Sequence, residues 1–301
     1  MKNLLKNRRL WVLVIVVAII FIGIRIKDQG GLGVVLSSKN EDQVKETTFV
    51  QVAKQFALTV PAKWSITEPV SGKQTLIYPS ETKMSGTDVQ ALLNQDVIIV
   101  ETATNKKESF DALMTEMKSA LEKSGATVAV EAKEFGSLTG SKLTVTGKTN
   151  YQQLFFNTPT IIILTAKVDH PIFDDLAKSV TIDLSSYANE IAQITNLTRQ
   201  TKQDIASGNF SEIYKSASND LKKLKSEEEF SNLLKDVSVE FNNNVLIWGI
   251  FINSKGLGAA VNVVSQDKIV RRGSFYYTKN KDQYLLDAIR ISGKIKYGSE
   301  N

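Results

Sequence analysis

The feature that most constrains this chain is an uninterrupted apolar segment near its N-terminus, LWVLVIVVAIIFIGI at Leu10–Ile24. As a helix, these fifteen residues would span roughly 22 Å at 1.5 Å per residue. Ile26 adds length, and flanking Arg and Lys side chains can reach toward the headgroups of a hydrocarbon core about 30 Å thick. Because every face of the segment is apolar, it does not resemble an amphipathic helix of a soluble domain. The segment predicts a transmembrane anchor over residues 10–27.

The flanks of the segment decide between a retained anchor and a cleaved leader. Residues 23–27, GIRIK, contain no A-x-A-like cleavage site and place charges directly after the apolar run. Basic residues are concentrated before the segment, namely Lys2, Lys6, Arg8 and Arg9. The positive-inside rule therefore predicts a cytoplasmic tail at residues 1–9 and folded domains outside the cell membrane, held to its lipid by a single pass.

Charge and cysteine content exclude several functional classes. The net charge is +5, and residues 1–44 alone carry 7 basic and 3 acidic groups, so most of the excess belongs to the anchor region. The remainder lacks the single-signed field that binding to a nucleic acid backbone needs, and no nucleic acid partner is expected. With no cysteine in the chain, disulfides, thiolate metal sites and thiol nucleophiles are excluded.

Residues 28–44 combine glycine, serine and acidic residues, which predicts a flexible spacer before a first domain at residues 45–185. Short alternating or apolar runs predict strands, with one amphipathic helix over Phe110–Leu121 and a shorter helix after Pro171. A closing strand is predicted at Val180–Leu184. The order favours an α+β domain, a mostly antiparallel sheet backed by a helix.

The pattern Phe56-x-Leu58-x-Val60-Pro61-x-x-Trp64, with the helix and strand at Phe173–Leu184, resembles the PsbP-like family. That family includes a photosystem extrinsic protein, a Ran-binding relative and bacterial surface proteins. The resemblance covers residues 47–185. It implies an α/β/α sandwich with protein-binding rather than enzymatic roles, and it transfers scaffold positions only.

A second α+β domain is predicted at residues 186–301. A long helix over Tyr187–Ser207 ends at Gly208, and Ser226 with Glu229 forms a capping box for a later helix. Four strands with short connections follow and predict an antiparallel meander. They are Val245–Ile252, Leu257–Val264, Ile269–Thr278 and Tyr284–Ile291.

The order of helices before meander is similar to the nuclear transport factor two-like superfamily, a curved-sheet cone. The motif that carries this resemblance is Gly208-Asn209-Phe210…Ile213-Tyr214…Ser218…Lys225-Ser226…Phe230. Tyr284 stands where the superfamily places a tryptophan, which is a departure. In such cones the concave face and the helices enclose a pocket. The residues proposed to line it are Trp248, Phe251, Arg271, Phe275 and Tyr277, with ordinary core packing as the alternative for the aromatic residues.

No catalytic or cofactor-binding constellation is found in the sequence. His170 is the only histidine; it adjoins Asp169, and no Gly-x-Ser-x-Gly motif presents a nucleophile, so a capping or surface role is predicted for it. The acidic run Glu227–Glu229 is typical of a helix start rather than a metal site. We therefore predict no enzyme activity, no catalytic residue, no metal and no cofactor.

The expected function is that of an anchored extracytoplasmic module that binds a protein partner in the envelope. One alternative is a scaffold component of an envelope assembly, because bitopic type IV secretion proteins pair one span with a cone domain. Another alternative is an anchored hydrolase.

Overall fold

A computed structural model describes residues 32–37, 45–70, 74–82, 89–104, 109–266 and 268–292. These residues divide into two compact units. Unit 1 contains residues 63–180, and unit 2 contains residues 32–62 together with residues 181–292. Each unit is an antiparallel sheet with helices, so the predicted α+β class is confirmed.

Fourteen strands are described: β1 (Leu32–Ser37), β2 (Glu46–Gln51), β3 (Phe56–Pro61), β4 (Trp64–Val70), β5 (Gln74–Pro79), β6 (Ile98–Thr104), β7 (Thr127–Phe135), β8 (Leu138–Thr146), β9 (Tyr151–Phe156), β10 (Thr160–Lys167), β11 (Asn244–Asn253), β12 (Gly256–Ser265), β13 (Lys268–Asn280) and β14 (Gln283–Ser292). The described α-helices are α1 (Val89–Leu93), α2 (Phe110–Lys123), α3 (Phe173–Lys178), α4 (Ala188–Ser207), α5 (Phe210–Lys215), α6 (Asn219–Leu224) and α7 (Glu227–Ser238).

Unit 1 is a seven-stranded sheet in the order β4-β5-β6-β10-β9-β8-β7. Helix α2 covers one face, where Met114, Met117 and Leu121 are buried against the sheet. Helix α3 lies over the opposite face: the Lys142 amine sits 5.7 Å from the Phe173 ring centroid, on the side of β8 that α2 does not cover. Unit 1 therefore has a layer of helix on each side of the sheet.

Local sequence explains why α2 forms where it was predicted. Its apolar residues recur every three or four positions, which gives one buried stripe. The Ser109 hydroxyl accepts a hydrogen bond from the Ala112 amide at 3.1 Å and caps the first turn. Two residues beyond the end of the helix, Gly125 adopts a φ of +90°, a conformation that glycine tolerates best.

Unit 2 is a seven-stranded sheet in the order β1-β14-β13-β12-β11-β2-β3. Its core lies on the face that packs against α4–α7, which we call the inner face; the opposite face is the outer face. One row of paired residues on the inner face is fully buried, from Ala57 and Val50 through Ile250 and Ala259 to Phe275. The predicted helices and the four-stranded meander are confirmed, whereas the cone itself stays a prediction.

The boundary predicted between the two domains requires correction. Residues 45–62 were assigned to the first domain, but β2 pairs with β11 and β3 pairs with β2 in the sheet of unit 2. Alternation in Phe56–Val60 predicted a strand correctly but does not specify its partner. The pairing is favourable because it covers the edge of β11 and adds Val50 and Ala57 to the core.

Two smaller predictions also differ from the structure. The spacer predicted at residues 28–44 contains β1, which pairs antiparallel with β14. The strand predicted at Val180–Leu184 is reduced to a single bridge between Thr181 and Ala57, followed by a 3-10 turn at Ser185–Tyr187.

The predicted anchor at residues 10–27 and the tail at residues 1–9 lie outside the described residues. Among the residues that are described, no helix is both long and apolar enough to cross a membrane.

Candidate functional site

Four aromatic side chains meet on the outer face of unit 2, and we call them the aromatic row: Phe49, Trp248, Phe251 and Tyr276. Strand register places three of them in line, because Phe49 pairs with Phe251, Phe251 with Gly258, and Gly258 with Tyr276. Trp248 is the extra residue of a β-bulge in β11, between the pairs formed by Ile247 and Gly249. Bulges redirect side chains, and this one brings the Trp248 ring against Phe49.

The rings contact one another along the whole row. Phe49 meets Trp248 edge to face, with centroids 5.9 Å apart, and lies 5.5 Å from Phe251. Phe251 stacks on Tyr276 at 6.0 Å with 21° between the ring planes. Phe49 and Phe251 are buried, whereas Trp248 and Tyr276 are half-buried and present ring surface at the two ends. These geometries are the ones that aromatic pairs favour.

Two glycines lie in the sheet directly beneath rings of the aromatic row. A Cβ atom on Gly249 would lie 2.5 Å from Phe49 Cε2, and one on Gly258 would lie 2.9 Å from Tyr276 Cζ. Only glycine leaves room for these rings to lie flat on the sheet. The aromatic row is therefore held rigidly by packing from below and from the side.

The five residues predicted to line one pocket are divided between two faces. Trp248 and Phe251 lie on the outer face in the aromatic row, whereas Phe275, Tyr277 and Arg271 lie on the inner face. The prediction missed Phe49 and Tyr276. Alternation along β13 separates Tyr276 from Phe275, but only the register of β2 against β11 could have placed Phe49 beside Phe251.

Arg271 holds the 3-10 turn at Val239–Asn242 to the sheet. Its guanidinium donates to the Glu240 carboxylate at 3.1 Å and to the Ser292 carbonyl at 2.8 Å, and the residue is only 8% exposed. Within the described part of the chain, Arg271 Nε and Glu240 Oε2 are buried without a hydrogen-bond partner. The charge of Arg271 is therefore paired inside unit 2.

Tyr277 is a buried hydrogen-bonding residue of the unit 2 core. Its hydroxyl donates to the Leu197 carbonyl at 3.2 Å, and its oxygen lies 2.7 Å from Thr201 Oγ1. Because the tyrosine proton is directed at Leu197, the Thr201 hydroxyl is the donor in the second bond. Burial raises the pKa of the Tyr277 hydroxyl. These contacts join α4 to β13, so Tyr277 acts in the core and not in an open pocket.

His170 in unit 1 is buried, and the prediction of a capping or surface histidine is wrong. The residue is 5% exposed, and its ring lies 5.5 Å from the Trp64 ring. Burial lowers the pKa of His170, while the nearby Asp96 carboxylate acts in the opposite direction. Sequence could not show this, because the Trp64 side chain that packs on His170 comes from a strand more than a hundred positions earlier.

Two further polar groups lie within unit 1. The Glu101 carboxylate accepts a hydrogen bond from Gln74 at 2.8 Å, and burial raises the pKa of Glu101. Gln153 donates to Thr165 Oγ1 at 3.1 Å. Each group joins neighbouring strands of the sheet. Across the described residues, no three His, Asp or Glu side chains lie together as a metal site.

Comparisons with known proteins give little further guidance. The sequence matches no protein family and no curated protein. The structure is similar to the solution structure of cyanobacterial PsbP from Synechocystis sp. PCC 6803, with 12% identity and a TM-score of 0.33, over 49% of this chain and 99% of that chain. Similarity at this level identifies no function. Of the residues that suggested a PsbP-like domain, 56–61 belong to unit 2.

Proposed function

We propose that this chain is a single-pass membrane protein that displays both units outside the membrane and acts by binding a protein partner, without catalysis. The observation that carries the binding role is the aromatic row, a rigid line of four rings with exposed surface at Trp248 and Tyr276. The anchoring role rests on the apolar segment Leu10–Ile24 and on the basic residues before it.

The chemistry of the row favours a polypeptide surface as the partner. Tyrosine and tryptophan are enriched at the centres of protein interfaces, where their rings supply apolar area and their polar atoms supply hydrogen bonds. Because packing on Gly249 and Gly258 already fixes the orientation of the rings, binding a partner would cost little side-chain entropy.

The experiment is affinity capture of the full-length protein from its native membranes, with quantitative mass spectrometry of the proteins that co-purify. Trp248→Ala should reduce recovery of the partner at least about tenfold, equivalent to about 1.4 kcal/mol, and Tyr276→Ala should reduce it independently. Several proteins recovered in fixed ratios would identify an envelope assembly as the partner.

The matched control is Leu224→Ala, which removes an apolar side chain that is 48% exposed on α6, away from the outer face. Recovery of the partner with Leu224→Ala should equal its recovery with the unchanged protein. Circular dichroism should show that all variants remain folded. If every co-purifying protein is recovered equally with Trp248→Ala and Tyr276→Ala, the aromatic row is not the binding surface.

A further inference from the structure

Strand β7 is the terminal strand of the unit 1 sheet, and across the described residues it pairs with β8 alone. All nine of its residues are in register with β8, from Thr127 with Thr146 to Phe135 with Leu138, without a bulge. Most of them are exposed. β7 is therefore a regular edge strand whose second side faces solvent.

The two edges of this sheet differ in their protection against pairing with another chain. Natural edge strands are commonly interrupted by a proline or a bulge, which prevents a further strand from adding. At one edge, β4 contains Pro69 and has an irregular register between Thr67 and Val70. At the other edge, β7 has neither a proline nor a bulge. The edge of β7 can therefore accept a further strand.

The register identifies the backbone groups of β7 that face this edge. The Thr139 carbonyl accepts a hydrogen bond from the Asn157 amide at 2.9 Å, so it points toward β9. Because the direction of these groups alternates along a strand, Leu138 points toward β7, where it pairs with Phe135. Alternate residues counted back from Phe135 therefore face β8. The residues between them, which present their amides and carbonyls at the edge, are Val128, Val130, Ala132 and Glu134.

The charges on β7 are arranged to match a second copy of the same strand. Glu131 and Lys133 lie on one face of the sheet, where they form an ion pair and remain 63% and 36% exposed. In an antiparallel copy related by a twofold axis at Ala132, Glu131 of each chain would stand opposite Lys133 of the other. These are non-hydrogen-bonded pairs, in which facing side chains lie closest and opposite charges are favourable.

The backbone favours the same register. Ala132 would face Ala132 of the second copy, and Val130 would face Glu134. All of these residues present their backbone groups at the edge, so each pair would exchange two hydrogen bonds. Val130, which is 41% exposed, would gain a neighbour on its open side. A shift of the axis to Glu131 would instead oppose two glutamates, which is unfavourable.

We propose that β7 is a self-association site, at which two copies of this chain pair antiparallel about an axis at Ala132 and extend the unit 1 sheet from one copy into the other. The partner at this edge is thus a second copy of the chain. The inference goes beyond the proposed function, because the aromatic row lies in unit 2 and takes a different protein.

Light scattering during size-exclusion chromatography of the full-length protein in detergent measures the mass. The unchanged protein should be a dimer. Ala132→Pro removes one amide at the edge but no hydrogen bond to β8, and it should raise the dissociation constant of the dimer at least about tenfold. Ala132→Ser keeps the amide and is the matched control, which should remain a dimer. A monomeric unchanged protein, or equal dissociation constants for the two variants, would overturn the proposal.

Charge reversal tests the register and remains informative if Ala132→Pro fails to fold. Glu131→Lys and Lys133→Glu, each alone, would place like charges opposite each other twice in the dimer. Each should raise the dissociation constant at least about fivefold. The double variant restores opposite charges and should return the constant to within about twofold of the original. A double variant that dimerises no better than the single variants would overturn the pairing of Glu131 with Lys133.

Hydrogen exchange followed by NMR separates self-pairing from strand addition by another protein. In the dimer, the amides of Val130, Ala132 and Glu134 should exchange at least about tenfold more slowly than after dilution to the monomer. The amides of Glu131 and Lys133 should be protected in both states, because they face β8. Protection that requires an added extract of native membranes, with the purified chain monomeric, would assign the edge to another protein and overturn self-association.

Discussion

At the scale of single residues, unit 2 depends on polar side chains that join its helices to its sheet. Tyr277 links β13 to α4 through Thr201 and Leu197, and Arg271 links β13 to Glu240. Both residues were predicted to line a pocket, because their residue types and strand positions suited one. Sequence could place them on a strand, but their partners lie far away along the chain, so burial and pairing became visible only in the fold.

Tyr277→Phe removes one hydroxyl from this core. We expect a loss of about 1–2 kcal/mol in the free energy of unfolding, because the Thr201 hydroxyl stays buried and loses its acceptor. Urea denaturation measures the change. The same substitution at half-buried Tyr284 is the control and should cost less than about 0.5 kcal/mol. Equal costs at the two positions would contradict the role given to the Tyr277 hydrogen bonds.

The pH dependence of stability follows from the direction of the His170 shift. Burial lowers the folded-state pKa of His170, so between that pKa and about 6.5 the unfolded chain binds a proton that the folded chain does not. The contribution of neutral His170 to the free energy of unfolding is present in full above about pH 6.5. It is lost as the pH falls, by at most about 1.4 kcal/mol per pH unit. The unchanged protein should lose stability from pH 7.5 to 5.5 relative to His170→Gln. Parallel plots of unfolding free energy against pH for the two proteins would contradict the lowered pKa of His170.

At the scale of elements, local signals predicted helices well and strand partners poorly. Ser109, Gly208 and Ser226 mark helix ends through contacts within a few residues, so sequence is sufficient to place those ends. Strand pairing brings distant segments together, and the alternation in β3 predicts a strand without naming the neighbouring strand. For the same reason the aromatic row could be found only in part.

The start of α7 is fixed by a capping box between Ser226 and Glu229. The Ser226 hydroxyl accepts from the Glu229 amide at 3.2 Å, and the Glu229 carboxylate accepts from the Ser226 amide at 3.0 Å. Ser226→Ala should therefore destabilise unit 2 by about 1 kcal/mol. Ser238→Ala, at the exposed end of the same helix, should change stability by less than half of that in the same denaturation experiment. A smaller loss for Ser226→Ala than for Ser238→Ala would contradict the capping role.

At the scale of the whole molecule, the chain builds unit 2 from two separate segments and inserts unit 1 between them. Residues 32–62 supply three strands, and residues 181–292 supply the helices and the meander. The predicted boundary after residue 185 differs from the junction at residues 180–181, and the junction at residues 62–63 was not predicted. Composition does not change at that second junction, and only strand pairing reveals it.

Fragments of the chain test this topology. A fragment of residues 186–301 should unfold at lower temperature than unit 2 in the full chain, because it lacks β2 and exposes the edge of β11. A fragment of residues 63–180 should fold cooperatively alone. Joining residues 45–62 to the end of residues 181–292 through a glycine-serine linker should restore much of the lost stability. Full stability in the shorter fragment would contradict the pairing of β2 with β11.

The proposed function requires both units to lie outside the membrane, and the absence of cysteine from the chain allows a direct test. Single cysteines would be introduced at exposed Lys123 in unit 1, at exposed Glu228 in unit 2, and at Asn3 in the tail. Intact cells would then be treated with a membrane-impermeant maleimide. We predict labelling of Lys123→Cys and Glu228→Cys on intact cells, and labelling of Asn3→Cys only after lysis. Protection of both unit positions until lysis would contradict the proposed topology and the function built on it.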